Sequence, residues 1–251
     1  MSKKVVLILV EGETEETLIA EFLEERFGDL EIMVDVKHGD VLSDWNSKFS
    51  VNQTKFIVSE WVREYLQEMK FLASDLLAVF QLTDTDGCFI PSDQVVVDEQ
   101  YGKDNYYCDD SICVGSSSKK TLIEERNDKK SQRIDILNTY HQLHLKKSKI
   151  IYKIFYFSTN LEHVLWDERN EDKANKLHKL DTFIDTPGQT IEALLAQYFT
   201  VSDGESTVDV YTNSWNHIKE GVNSLARQTN IPLLVNFLEE ESLARVSGSA
   251  T

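Results

Sequence analysis

The sequence predicts an α/β protein, with a parallel sheet of about four strands flanked by helices and a mainly helical C-terminal region. Three observations carry this. Residues 3–10, 76–82 and 149–157 are short, nearly continuous apolar runs, the pattern of strands buried on both faces. Helically spaced segments stand between the strands, as crossover connections between parallel strands require. Beyond residue 166 the pattern is mostly helical.

Residues 3–10 open the chain as a buried strand. A helix is expected over 13–27, because Leu18, Ile19, Phe22, Leu23 and Phe27 recur three or four apart, and Gly28 ends it. Residues 30–36 alternate as a second strand, 38–50 form a polar connection and 53–69 read as a second helix. The strand at 76–82 closes on Thr83-Asp84-Thr85-Asp86-Gly87. Residues 91–114 are acidic and irregular, a loop or hairpin excursion, and 119–145 form a charged helix. The strand at 149–157 is followed by Ser158-Thr159-Asn160 and a short helix to Trp166. Helical candidates then fall at 170–180, 188–199, 212–227 and 231–245. This gives a catalytic domain over 1–165, interrupted by the excursion at 91–115, and a helical region over 166–251.

Composition narrows the function. The 251-residue chain carries a formal net charge of −17, with 41% hydrophobic and 27% charged residues. That suits a globular core and argues against disorder. So acidic a chain is a poor non-specific duplex binder, since phosphate contacts need Lys and Arg. It can still be a nucleic-acid enzyme, because carboxylates hold divalent cations and the cations face phosphates. No apolar run reaches bilayer length and no signal-peptide cleavage site follows residues 5–10. Three cysteines do not make a disulfide framework. A cytoplasmic protein without membrane attachment is expected.

Ligands of α/β sheets gather at the carboxyl ends of strands, and here those ends are acidic. Glu11 follows the first strand in Glu11-Gly12-Glu13-Thr14-Glu15, and one helical turn puts Glu15 on roughly the same side. Taken alone, acids in a first helical turn answer the helix dipole. Asp84 and Asp86 leave the third strand; in extended backbone they face the same way and repel unless a cation lies between them. Taken alone, Asp-Thr-Asp-Gly is also an ordinary polar turn.

Together the two signals resemble the Toprim domain, with its glutamate after the first strand and Asp-x-Asp after a later one. Val10-Glu11-Gly12-Glu13-Thr14-Glu15 is similar to the opening of the RloB, AbiL and OLD-type nucleases of bacterial phage defence. The resemblance covers about residues 3–165. It implies a metal-dependent endonuclease cutting DNA or RNA, tRNA among them, with Mg²⁺ or Mn²⁺. Glu11 would be a ligand or general acid/base, Asp84 and Asp86 metal ligands, and Glu15 a ligand to a second metal. Ser158-Thr159-Asn160-Leu161-Glu162-His163 loosely matches an Asn-x-x-Glu segment of RloB-like proteins, with Leu161 where a proline is expected. Glu162, with His163 beside it, would complete the metal site or cap the helix ending at Trp166. OLD-type sites often hold a lysine, for which Lys119, Lys120 and Lys153 are candidates. The resemblance also implies an ABC- or AAA-type ATPase partner; homo-oligomerisation stays open. A rival reading is a non-catalytic regulatory or assembly subunit that docks on an ATPase through its acidic surface.

Other signals carry less. His141 and His144 share a helix face without further ligands, and Cys108 and Cys113 have no second pair to make a zinc site. The cluster Lys119, Lys120, Arg126, Lys129, Lys130 and Arg133 is interleaved with acids; it reads as a solvated helix face rather than as a basic patch for a nucleic-acid backbone. Tyr101, Tyr106 and Tyr107 either stack on bases or pack a hairpin. No phosphate-binding loop of the Walker type and no Gly-x-Ser-x-Gly elbow is present. A primase or topoisomerase is disfavoured by chain length and by the lack of a zinc module.

Overall fold

A computed structural model describes residues 4–27, 32–38, 42, 49–102, 105–172, 174–186, 190–199 and 203–248, with backbone only for 24–27, 32–38 and 241–248. The first half holds β1 (Lys4–Val10), α1 (Glu13–Phe27), β2 (Ile32–His38), α2 (Thr54–Met69) and β3 (Leu76–Asp84). Short strands β4 (Val95–Val97), β5 (Tyr106–Tyr107) and β6 (Ile112–Val114) follow, then α3 (Ser117–Asn138), β7 (Gln142–Leu145) and β8 (Ser148–Phe157). The chain continues through α4 (Leu161–Trp166), α5 (Lys176–Ile184), α6 (Ile191–Gln197), α7 (Thr207–Ile218) and α8 (Pro232–Gly248).

The main sheet has the order β2-β1-β3-β8-β7. Its first four strands are parallel and β7 runs antiparallel on the β8 edge. Residues 5–10 of β1 and 76–83 of β3 are buried, as apolar strands covered on both faces must be. Helix α1 packs with α5 and α6, while α2 packs with α3, which also contacts β8. Helices thus cover both faces, as right-handed crossovers running in opposite directions along the sheet, β1 to β2 and β2 to β3, demand. The order reverses between β1 and β3. That switch point opens a crevice beyond the strands' carboxyl ends, where Glu11 and Asp84 stand.

The expected helix at 119–145 is corrected. Helix α3 ends at Asn138, and residues 142–145 form β7, with Leu143 and Leu145 buried on alternate positions. Lys146 takes φ +57° in the two-residue turn to β8, so the segment folds back as a hairpin. His141 and His144 therefore do not share a helix face. The excursion expected at 91–114 holds three short strands in a second sheet, β4-β6-β5. The second strand lies at Ile32–His38 rather than 30–36, and α7 ends at Ile218, short of the expected 227.

The small sheet packs Ile90, Val95, Ile112 and Val114 against Ile123 of α3 and Leu225. Gly87 sits beneath it at φ +64°, and an added Cβ would lie 2.6 Å from a Leu225 methyl, so this turn needs glycine. Tyr101 stacks on Tyr106 with ring centroids 4.6 Å apart, which is the hairpin-packing role. Among the described residues no helix is long and apolar enough to cross a membrane.

Strand β7 pairs with residues 148–151 of β8 only. The remaining edge of β8 is covered by the segment at 224–230. Ser158 N donates to Gln228 O (2.9 Å), Thr159 N to Ser224 O (3.0 Å) and Thr229 Oγ1 to Tyr156 O (2.6 Å). Tyr156 N donates to Asn230 Oδ1 at 2.8 Å, and all these groups are buried. Asn230→Ala leaves the Tyr156 amide unsatisfied and is expected to cost about 1–3 kcal/mol in urea denaturation. Unchanged stability would show that this stitch is incidental.

Candidate functional site

The site is assembled from three strand ends. Glu11 follows β1 directly, and its Oε1 accepts a hydrogen bond of 2.5 Å from Thr83 Oγ1 on β3. Glu15 stands in the first turn of α1 and folds back over Gly12, where an added Cβ would come within 2.9 Å of its Oε2. It stands with Glu13 and Glu16 among the acids of the first turn of α1, where the helix dipole favours negative charge. Asp84 is the last residue of β3, in register with Phe157 at the end of β8. Glu162, in the first turn of α4, is 1% exposed.

These four carboxylates influence one another through a low-dielectric interior. Burial first, then Glu15, Glu11 and Glu162, pushes the Asp84 carboxyl well above its ordinary range. Burial, with Glu162 contributing, also raises Glu15. Asp84 Oδ1 and Glu162 Oε2 are buried without a hydrogen-bond partner. One countercharge is visible here: Lys176 Nζ, at the start of α5, lies 2.7 Å from Glu162 Oε1. Burial opposes the Lys176 ammonium, but Glu162, Asp84 and Glu15 outweigh it and raise its pKa.

Asp86 has a different environment. Its backbone is left-handed, φ +50°, not extended, so the expected common direction of Asp84 and Asp86 does not arise. Lys130 Nζ donates to Asp86 Oδ2 at 2.6 Å and Tyr107 OH to Oδ1 at 3.2 Å. Arg126 donates to the Asp86 carbonyl at 2.8 Å and to Tyr107 OH at 3.1 Å. Burial would raise the Asp86 carboxyl, but Lys130 and then Arg126 overcome it and hold it low. Lys130 is fully buried and also lies 3.7 Å from Glu11 Oε1.

Comparison of the chain with protein-family models, with curated proteins and with solved structures returned no match. The site therefore rests on its own geometry.

Lys119, Lys120 and Lys153 are not the lysines at this edge. Lys120 pairs with Glu124, and Lys153 lies over the rings of Tyr211 and Phe237. Among the described residues Lys130 and Lys176 are the lysines that reach it, and sequence reading named neither as a site lysine. The reading of the α3 cluster as a solvated face is corrected for Lys130 and Arg133, which are buried, and for Arg126, which binds Asp86 and Tyr107. Their signal was spacing: Ile123, Arg126, Lys130, Arg133 and Leu137 recur three or four apart, as an inward stripe does. Lys176 had no comparable signal.

Of the segment after β8, Glu162 alone joins the carboxylates. Asn160 caps α4, accepting from His163 N at 2.9 Å, and Ser158 Oγ donates to Asn223 O. His163 is buried, and burial followed by Arg169 pushes its imidazole down to about 4, so it is neutral at pH 7. Cys108 and Cys113 face each other across the hairpin, Sγ to Sγ 3.1 Å, as free thiols.

The donor set is all oxygen, which suits Mg²⁺ or Mn²⁺. Orphaned oxygens on Asp84 and Glu162 fit a cation bound between them. Among the described residues, however, no three His, Cys, Asp or Glu groups are already gathered around one point. Like charges without a cation between them favour separation, so binding would draw these groups inward.

Asp84→Asn is expected to raise the melting temperature of the metal-free protein at neutral pH. The native pKa of Asp84 lies above its unfolded value, so its carboxyl destabilises the fold as pH rises through the native pKa. The gain, about 2–4 °C for each kcal/mol of repulsion relieved, fades in acid, where Asp84 is protonated in both states. Differential scanning calorimetry across pH checks it; a lower melting temperature at pH 7–8 would contradict the like-charge account.

Proposed function

We propose that this protein is a divalent-cation-dependent endonuclease of the Toprim type, hydrolysing phosphodiester bonds in DNA or RNA. One observation carries the reading: half-buried Asp84 lies at the switch point, under the influence of Glu11, Glu15 and Glu162, with its Oδ1 shut off from solvent and lacking a hydrogen-bond partner. A carboxylate in that position is costly unless a cation occupies the site. The resemblance of the Glu11–Glu15 segment and of Asp84-Thr85-Asp86 to Toprim nucleases supports the same assignment.

Asp84, Glu15 and Glu162 would hold the cation. Bound there, a divalent cation polarises a phosphoryl oxygen and lowers the pKa of a bound water. Glu11, beside it and oriented by Thr83, would accept the proton of the attacking water. Lys176, half-buried against Glu162, would supply positive charge toward an incoming phosphate. A role in cytoplasmic anti-phage defence, with an ABC- or AAA-type ATPase holding the nuclease in check, follows from the resemblance.

One observation favours a non-catalytic subunit instead, since the carboxylates are not yet gathered at coordination distance. A cleavage assay on plasmid DNA and on total tRNA, with Mg²⁺, Mn²⁺ or EDTA, separates the two readings. Metal-dependent cutting is expected, lost by at least about 100-fold in Asp84→Ala, as for removal of other charge-stabilising groups. Absence of cutting together with absence of Mn²⁺ binding would overturn the nuclease.

A further inference from the structure

The resemblance makes Asp86 a metal ligand and gives Glu15 to a second metal. The contacts around Asp86 lead elsewhere. Both of its carboxylate oxygens are engaged, Oδ2 by Lys130 Nζ at 2.6 Å and Oδ1 by Tyr107 OH at 3.2 Å. Arg126 binds its carbonyl, so two cations already face this one residue. A divalent ion bound to Asp86 would sit about 2.0–2.1 Å from a carboxylate oxygen for Mg²⁺, within a few ångströms of the Lys130 ammonium and repelled by it.

Lys130 is not placed to leave. It lies in the middle of α3 with its side chain wholly buried. Its second carboxylate neighbour is Glu11, 3.7 Å away, so the ammonium stands between the Asp86 and Glu11 branches of the site. The backbone that presents Asp86 is fixed as well, since Asp86 N donates to Thr159 O at 2.8 Å. On the other side, Asp84 Oδ1 and Glu162 Oε2 are buried and lack partners, and Glu162 is 1% exposed. Unmet demand for positive charge lies there, not at Asp86.

We propose that this site takes one divalent cation, on Asp84, Glu15 and Glu162, and that the Lys130 ammonium permanently fills the second cationic position between Asp86 and Glu11. The inference rests on the metal-dependent nuclease reading and sharpens it. A fixed ammonium stabilises negative charge, as a second metal does, but brings no water to activate. Asp86 is then a positioning residue for Lys130, and the cation that lowers the pKa of a bound water belongs to the Asp84 side, with Glu11 between the two cationic positions as acceptor of that water's proton.

Calorimetric titration with Mn²⁺ tests this on the whole chain, with circular dichroism confirming that each variant is folded. The wild type is expected to bind one equivalent. Asp84→Asn should weaken binding at least ~10-fold, as loss of a metal-site group does. Asp86→Asn should keep the single equivalent within about threefold, and Lys130→Met, which opens the second position, should admit a second. Two equivalents in the wild type, with dipolar coupling between the ions in its electron paramagnetic resonance spectrum, would overturn the single-cation site and leave the nuclease reading intact. One equivalent that survives Asp84→Asn would overturn the assignment of sides. No binding at all would overturn both this inference and the reading beneath it. The wild-type titration and spectrum decide the matter even if Lys130→Met or Asp86→Asn fails to fold.

Discussion

The hydrogen bond from Asp86 N to Thr159 O is the constraint on which the site depends. Strands β3 and β8 run parallel to their ends, and their pairing continues into the loops, with Thr85 N donating to Phe157 O at 2.9 Å. Both loops then turn through left-handed residues that are not glycine, Asp86 at φ +50° and Thr159 at φ +56°. Such conformations cost roughly 1–3 kcal/mol each and persist where surrounding contacts over-determine them. Here the contacts are a buried Thr85 hydroxyl, which donates to Ser224 O and accepts from Thr159 N, together with the Lys130 and Arg126 clamp. Because the two turns are locked to each other, Asp84 and the Glu162 turn that follows β8 hold a fixed relation.

The electrostatics divide this edge into two compartments. Around Asp86, charges are matched: the Asp86 and Glu11 carboxylates face an ammonium and a guanidinium, and a phenol joins the same set of contacts. Around Asp84 they are not, with Lys176 the nearby cation visible on the Glu162 branch. A matched buried network rigidifies, whereas an unmatched one favours whatever ligand neutralises it. Rigidity on one side and demand on the other is what a binding site on a stable scaffold requires. A cavity of about 650 Å³ exists at the opposite end of the sheet, lined by Leu66, Phe71, Leu72 and Leu145, and has no part in this chemistry.

Much of this was legible in the sequence. Helix α1 falls at 13–27 as its apolar spacing predicts, and β1 and β3 start within a residue of the expected positions because parallel strands buried on both faces leave unbroken apolar runs. The acids at the strand ends were visible for the same reason. The direction of Asp86 was not, since a left-handed φ at an aspartate leaves no mark in composition. Strand β7 was hidden because Gln142-Leu143-His144-Leu145 is too short to break the helical pattern of its charged neighbours. Lys130 and Arg126 were read as solvated because lysine and arginine are rarely buried unless paired, and their partners lie some 40 residues away in sequence. Contacts of that kind are invisible to any local window.

The stitching of β8 to residues 224–230 has a consequence for the order in which the molecule comes into being. The loop that carries Thr159, and through it Asp86, is held by Ser224 and Gln228. Strand pairings and tethers that span 70 residues or more, such as β1 with β3 and Tyr156 with Asn230, carry a large loop-closure entropy and form slowly. During synthesis the carboxylate edge cannot be completed until residue 230 has left the ribosome. A carboxylate edge arranged in this way comes into register only after its scaffold has closed, so a nascent chain carries the acids without yet carrying their arrangement.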